Sequence, residues 1–281
     1  MIREWKDSTI KRFLKEGRGS GEGSEYKSWL QVQDINSQGR STRTYSYKSQ
    51  RVIHLLSDLQ LYYWYLLEFD DMVLDVREQF PLLDFHEMNI PVDQELEKKL
   101  FSTKTNVPHV FIVSFMVTRI DQNGNSFYEA RAIKSSTELT KKATIERLEM
   151  QRRYFEKKQI DFGVVTEMNI NKQLARNIGW VLTAYDIQDY PDLVRNFLYL
   201  KEDLLHYLSN HTATFQMVFQ RIEKDYQLDE GLGLILFKHL VATKQIKFDL
   251  NRKIDMSRNV EEYRIELPGI KSGGDKHAVN G

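Results

Sequence analysis

The chain has no cysteine among its 281 residues. That excludes disulfides, thiolate metal sites and a cysteine nucleophile. No apolar run approaches the roughly 18 residues that a membrane-spanning helix needs, and the opening Met1-Ile2-Arg3-Glu4-Trp5-Lys6-Asp7 has no leader-like apolar stretch. A cytoplasmic location with no membrane partner is therefore expected. The formal net charge is zero, so a uniformly basic coat for nucleic acid is absent. Charge is unevenly spread, however. Residues 1–60 hold 11 basic against 7 acidic side chains, and residues 131–158 hold 9 against 4. A local phosphate-binding face thus stays open beside the plainer reading of solvated helix surfaces. None of the seven histidines shows a His-x-x-x-His spacing.

What is present is enough apolar sequence, 41%, to build a core in each of two halves. Residues 1–50 read as a polar arm and DNA-contacting segment. Gly17, Gly19, Gly21 and Gly23 lack the preceding strand and following helix of a phosphate-binding loop, and Arg40, Arg43 and Lys48 sit among tyrosines in a stretch suited to phosphate contact. Residues 51–170 read as an α/β domain. The i, i+3, i+4 recurrence of Leu55, Leu56, Leu59, Tyr62, Tyr63, Leu66 and Leu67 predicts a helix over 51–69. Met72–Val76 predicts a strand, and Phe80–Leu83 the approach to a turn. Val110–Val117 and Ser126–Ile133 predict two strands joined through Asn123-Gly124, a hairpin signal. Residues 138–158 predict a charged helix carrying Arg152 and Arg153, candidate DNA contacts or members of an ion network. Asp161–Thr166 predicts a buried strand. Residues 171–268 read as mainly helical and winged-helix-like, with a short strand at Ile246–Leu250, and 269–281 as a disordered tail. Trp29, Trp64 and Trp180 read as packing anchors.

The order helix, strand, hairpin, helix, strand fits a mixed sheet flanked by helices. Metal-dependent nucleases with a restriction-endonuclease-like fold place a carboxylate at the start of the second strand. A second oxygen ligand sits near the end of the third, and a lysine two residues further on. Lys134, closing the strand Tyr128–Ile133, suits that lysine. The spacing alone has low specificity, and a surface lysine at a strand end is its plain alternative.

Several segments together raise the specificity: Lys15-Glu16-Gly17-Arg18-Gly19, Tyr26-Lys27-Ser28-Trp29-Leu30, Gly39-Arg40-Ser41 and Arg51-Val52-Ile53-His54-Leu55-Leu56-Ser57-Asp58-Leu59. Val76-Arg77-Glu78-Gln79-Phe80-Pro81-Leu82-Leu83, Ile133-Lys134 and Arg152-Arg153-Tyr154 continue the series. On these the chain resembles, over about residues 10 to 260, the TnsA endonuclease subunits of heteromeric transposases. The resemblance implies a restriction-endonuclease-like domain that cuts 5′ ends of a mobile element. It also implies a TnsB-like integrase subunit, a TnsC-like AAA+ ATPase contacted through the C-terminal domain, and transposon-end DNA.

The residues that should do the cutting depart from that pattern. Where the family carries a catalytic glutamate, this chain has Gln60. Where it carries a metal-binding aspartate, alignment on Phe111 puts Val110, and a shift by one puts His109. Lys134 is kept. Ala132 stands two residues before it with only a backbone carbonyl to offer, and Gln151 replaces a glutamate on the following helix. Mg²⁺ wants hard, anionic oxygen ligands, so it is implied as a cofactor only if the site still functions; His109 and the Ala132 carbonyl remain as candidate ligands. The expectation is a pseudo-nuclease that binds DNA ends and partners, a second, intact TnsA-like subunit among them. Two rival readings stay open: an active Mg²⁺-dependent endonuclease using substitute ligands, and a free-standing or defence-associated DNA-binding protein on the same fold.

Overall fold

The computed structural model describes residues 6–35, 40–102, 106–209, 212–263 and 265–266. The expected tail, 269–281, lies outside the described residues. Contacts divide the chain into two compact units, Met1–Lys172 and Gln173–Gly281.

The first unit is built on a four-stranded mixed sheet. Strand β3 (Val73–Leu82) pairs antiparallel with β4 (Phe111–Ile120), β4 antiparallel with β5 (Ser126–Ile133), and β5 parallel with β6 (Asp161–Val165). The β4–β5 connection is the expected hairpin, with Gly124 at φ 84° supplying the left-handed residue of the turn. Helix α4 (Lys142–Lys157) covers one face of the sheet, burying Leu148, Met150, Tyr154 and Phe155 against Val113, Met116, Ala130 and Ala132. Helix α2 (Asp58–Phe69) covers the other, where Leu61, Trp64 and Leu67 meet Val76, Phe115, Val117 and Ile133.

Three expectations are corrected. The helix predicted over 51–69 is a strand followed by a shorter helix: β2 (Arg51–Leu55) pairs antiparallel with β1 (Thr42–Ser46), and α2 starts only after Ser57, whose side chain caps it by accepting from Gln60 N. Ile53 and Leu55 alternate into the core, a strand period that the leucines further along had masked. Next, Met72–Val76 and Phe80–Leu83 are not two pieces, because Val73–Leu82 is one strand. It lies at the edge of the sheet, where Pro81 costs no ladder bond. Finally, the N-terminal segment does not stand off as an arm. Helix α1 (Asp7–Lys15) and the turns after it bring in Phe13 and Trp29, both 0% exposed, to pack with Leu30, Leu56, Val110 and Ile112. Gly19, at φ 77°, lies so close to Pro81 that an added Cβ would come within 2.3 Å of its ring.

One carboxylate pins these pieces together. Glu78 of β3 is 0% exposed and accepts both Arg51 guanidinium bonds (3.0 and 2.7 Å) and the His54 N–H (3.1 Å), while its backbone oxygen accepts from Tyr26 Oη at 3.0 Å. Burial pushes its pKa up against the pull of Arg51.

Between β3 and β4 the short helix α3 (Gln94–Glu97) is capped by Asp93. The second unit holds α5 (Lys172–Leu182), α6 (Pro191–Arg195), α7 (Phe197–Leu208), α8 (Phe215–Tyr226) and α9 (Leu232–Ala242). A small ribbon of β7 (Lys247–Phe248) and β8 (Ile265–Glu266) follows. Phe215, Phe219, Phe237 and Phe248 form its aromatic centre. No helix among the described residues is long and apolar enough to cross a membrane.

Candidate active site

The site originates in an irregularity of the sheet. A period of two would keep Phe111, Val113, Phe115 and Val117 on one face of β4. Instead Phe111 and Val113 join the core under α4, and Phe115 and Val117 the core under α2. The change of face falls at Ser114, between the pairs Glu78–Phe115 and Phe80–Val113, and there the β3 residue Gln79 is left-handed at φ 50°. Such backbone costs about 1–3 kcal/mol and persists only where its surroundings hold it. The β4–β5 ladder ends at this point, its last pair being Phe115–Arg131, and Ser114 Oγ accepts from Ile133 N at 2.9 Å in place of a ladder bond. β5 stays attached on its other side, where Lys134 N donates to Val165 O at 3.0 Å.

Where the strands part, a cleft of about 460 Å³ opens. Gln60, Val110, Lys134 and Gln151 all line it, together with Gln79, His109, Ser114, Glu138, Glu146 and Arg147. The four positions singled out in the sequence are therefore brought to one place by α2, the entrance to β4, the exit of β5 and α4. Ala132 is not at the cleft surface: its side chain is 2% exposed within the core under α4.

The chemistry of the lining is that of amides and ammonium groups. Gln60 Oε1 accepts from Leu56 N at 2.8 Å and from Gln79 Nε2 at 2.9 Å, so its two acceptor directions are used. Val110 has no donor atom and packs in the small core with Trp29. Gln151 Nε2 donates to Ile112 O at 3.0 Å, which fixes the amide's orientation. Its Oε1 is buried without a hydrogen-bond partner, on a residue 7% exposed. Lys134 is partly buried, and desolvation lowers its pKa.

The two lining carboxylates have protein partners of their own. Glu138 accepts from Ser135 N at 3.2 Å as the capping partner of a short 3₁₀ turn, and Glu146 is ion-paired with Lys99. No group of three histidine, aspartate or glutamate residues among the described residues is arranged to hold a metal ion. Mg²⁺ requires near-octahedral oxygen ligation with anionic anchors. A donor set of one saturated amide, one amide with a single uncommitted oxygen, one valine and an ammonium supplies no anionic anchor and does not fit it. Glu68, an acid further along α2, is no substitute either. It accepts from Ser46 Oγ, Tyr47 N and Lys48 N, closing the β1–β2 turn. His109 lines the cleft, and its carbonyl accepts from His86 Nε2 at 3.1 Å.

The other sequence candidates are placed apart from the cleft lining. Arg40 and Arg43 are exposed, Arg43 on β1. Lys48 is committed to structure, its Nζ donating to Val73 O at 2.8 Å. Arg152 and Arg153 are both ion-paired with Glu149, at 2.8 and 2.7 Å, and Arg152 also with Glu156 at 3.1 Å. Those pairs hold the Glu149 carboxyl down to about 2. Sequence reasoning missed Arg147, Gln79 and Ser114. Arg147 precedes Gln151 by four residues on α4, a spacing that puts both on one helix face. Gln79 and Ser114 act through a strand irregularity that carries no sequence signature.

Comparison with known proteins agrees with this architecture. Residues 70–167 match the family described as TnsA-like endonuclease N terminal, and residues 169–250 the one described as TnsA endonuclease C terminal. Transposon Tn7 transposition protein TnsA of Escherichia coli is 35% identical over 266 residues, spanning 91% of this chain and 94% of the relative. Two matched domains in order and a relative aligned along nearly its whole length leave one assignment: the chain belongs to the TnsA endonuclease family.

Proposed function

We propose that this subunit binds transposon-end DNA and its transposition partners but has lost the cleavage of 5′ strands. The reading is carried by one observation: the cleft is formed, yet Gln60 spends its oxygen on Leu56 and Gln79, and Val110 offers none. A group placed to stabilise a transition state is worth about 3–4 kcal/mol, or 10²–10³ in rate. Loss of two metal-anchoring carboxylates removes more than that, because the cation itself goes. The partners are those of a Tn7-type system: a TnsB-like integrase, a TnsC-like ATPase engaged by the C-terminal unit, and a second, intact TnsA-like subunit if 5′ cutting is needed. Without one, 3′-end joining alone leaves the 5′ strands attached and gives branched, cointegrate-type products.

The test is a strand-cleavage assay on transposon-end DNA with Mg²⁺ or Mn²⁺, using the purified chain alone and with its partners. The expected result is no nicking above background by this subunit. Robust nicking that Lys134→Ala abolishes overturns the proposal.

A further inference from the structure

The loss of acids from this cleft does more than remove a metal; it changes the sign of what the cleft attracts. Its charged side chains are Lys99, Lys134, Arg147, Glu138 and Glu146. Lys99 and Glu146 neutralise each other, and Glu138 caps the backbone of Ser135. Lys134 and Arg147 remain. Neither makes an ion pair among the described residues, and Arg147 spends only its Nε, on Ala143 O of its own helix at 3.0 Å. Two cations from different elements, the exit of β5 and the middle of α4, thus line one cleft without an ion pair among the described residues, the Glu138 carboxylate acting on Lys134 only through space. Partly buried cations in that state are costly unless something anionic completes them.

Carboxylates at positions 60 and 110 would repel a phosphate until a divalent ion stood between them. With glutamine and valine there, no such ion is needed. We propose that the cleft is a metal-independent clamp for a phosphate oxyanion of the DNA backbone, held directly by Lys134 and Arg147. The ammonium acts as a point charge, and the free guanidinium nitrogens of Arg147 suit the paired oxygens of a phosphodiester. Gln60, tied into α2 and β3, keeps the wall neutral and rigid. This rests on the reading above that the cleft has lost its cation, and it adds what the cleft then grips and with which residues.

The experiment measures binding of the full chain to a fluorescein-labelled duplex carrying the transposon end, by anisotropy, across a sodium chloride series. It is run in EDTA and in Mg²⁺. Wild type should bind equally in both. Lys134→Gln and Arg147→Gln should each weaken binding about five- to tenfold at low salt and flatten the log–log salt slope by about one, as expected for one lost phosphate contact. Lys134→Arg should recover most of the loss, and melting curves identify any variant that has failed to fold. Arg147→Gln keeps the test valid if Lys134→Gln does not fold.

Replacing part of the chloride by inorganic phosphate at matched ionic strength separates the sources. Competition that depends on Lys134 means the clamp also takes free phosphate. Its absence leaves the backbone phosphodiester as the ligand. Unchanged affinity and slope in Arg147→Gln, or at least tenfold tighter wild-type binding in Mg²⁺ than in EDTA, overturns the clamp. Nicking by wild type overturns the lost-cleavage reading instead, so the two failures are distinct.

Discussion

Returning the two acids, as Gln60→Glu with Val110→Asp, tests the fit argument from the opposite direction. In the metal-free protein the pair should be destabilising. The introduced glutamate could keep both acceptor bonds on one oxygen, because Leu56 N and Gln79 Nε2 already donate to a single atom of Gln60. Its second oxygen would then enter the cleft as charge at a position now 8% exposed. The introduced aspartate would forfeit the partly buried apolar contact that Val110 makes with the Trp29 cluster, worth about 1–2 kcal/mol. It would also add a poorly solvated carboxylate, costing a further ~1–3 kcal/mol. The sum is about 2–5 kcal/mol. A cation bound by both acids gives part of this back, by RT ln(1 + [L]/Kd), or about 1.4 kcal/mol at ten times Kd. For a unit of this size that is about 3–6 °C in Tm. The assay is thermal unfolding of the full chain in EDTA and in 10-fold steps of Mg²⁺, with nicking as a second readout. Wild type should not respond to the metal and the double variant should. Gln151 is left unchanged, because a glutamate there would set an oxygen against the Ile112 carbonyl that its amide now contacts. Equal Mg²⁺ stabilisation of wild type, or none in the double variant, would refute the claim that positions 60 and 110 face one lost cation.

Two further outcomes follow from the packing and the charges. Trp29→Ala should cost about 3–5 kcal/mol, measured by urea unfolding, since Trp29 is 0% exposed and meets Phe13 edge-on at 5.2 Å; a change under 1 kcal/mol would mean that the N-terminal segment is not part of the fold. Glu149→Gln should lower stability at neutral pH by about 1 kcal/mol or less, the scale of screened surface pairs. Because the folded pKa of Glu149 is depressed, that contribution is complete above the ordinary value of 4.5 and disappears as pH falls toward about 2, which melts of both proteins across that window would reveal. If α4 faces DNA, the same substitution removes the carboxylate that Arg152 and Arg153 share and tightens binding.

The sequence made the sheet and its chemistry readable in different degrees. β5 and the 121–125 turn were legible because alternation and Asn-Gly are local signals. Helix α4 was legible as a long charged run without turn residues, Leu148 and Tyr154 among its few apolar positions. The β1–β2 hairpin was not, since Ile53 and Leu55 of the strand run into the leucines of α2 and mimic one helical period; the cap at Ser57 was the available cue. The N-terminal segment was misread because its anchors are single residues, Phe13 and Trp29, scattered in polar sequence with no period to detect. At the site, family resemblance named Gln60, Val110 and Lys134, and the fold brings all three to one cleft. Lys48 looked like a phosphate contact but is spent on Val73 O. Arg147 looked like ordinary helix surface, because nothing in its neighbours announces that β4 and β5 part beside it.

The cleft forms without acids at positions 60 and 110 because it is made by backbone. Ser114 and the left-handed Gln79 open the sheet, and neither depends on charge at positions 60 or 110. Replacing a buried acid by an amide or valine is downhill for stability, since it removes unpaired charge from a poorly solvated wall. By the same logic Lys134 should have been the first residue to go. Its ammonium is desolvated, lowered in pKa and without an ion pair among the described residues, and a methionine would fill the same space without that cost. A cleft with no acid at positions 60 and 110 that still holds this costly cation fits the anion-binding use proposed above, since its three cations outnumber its two carboxylates.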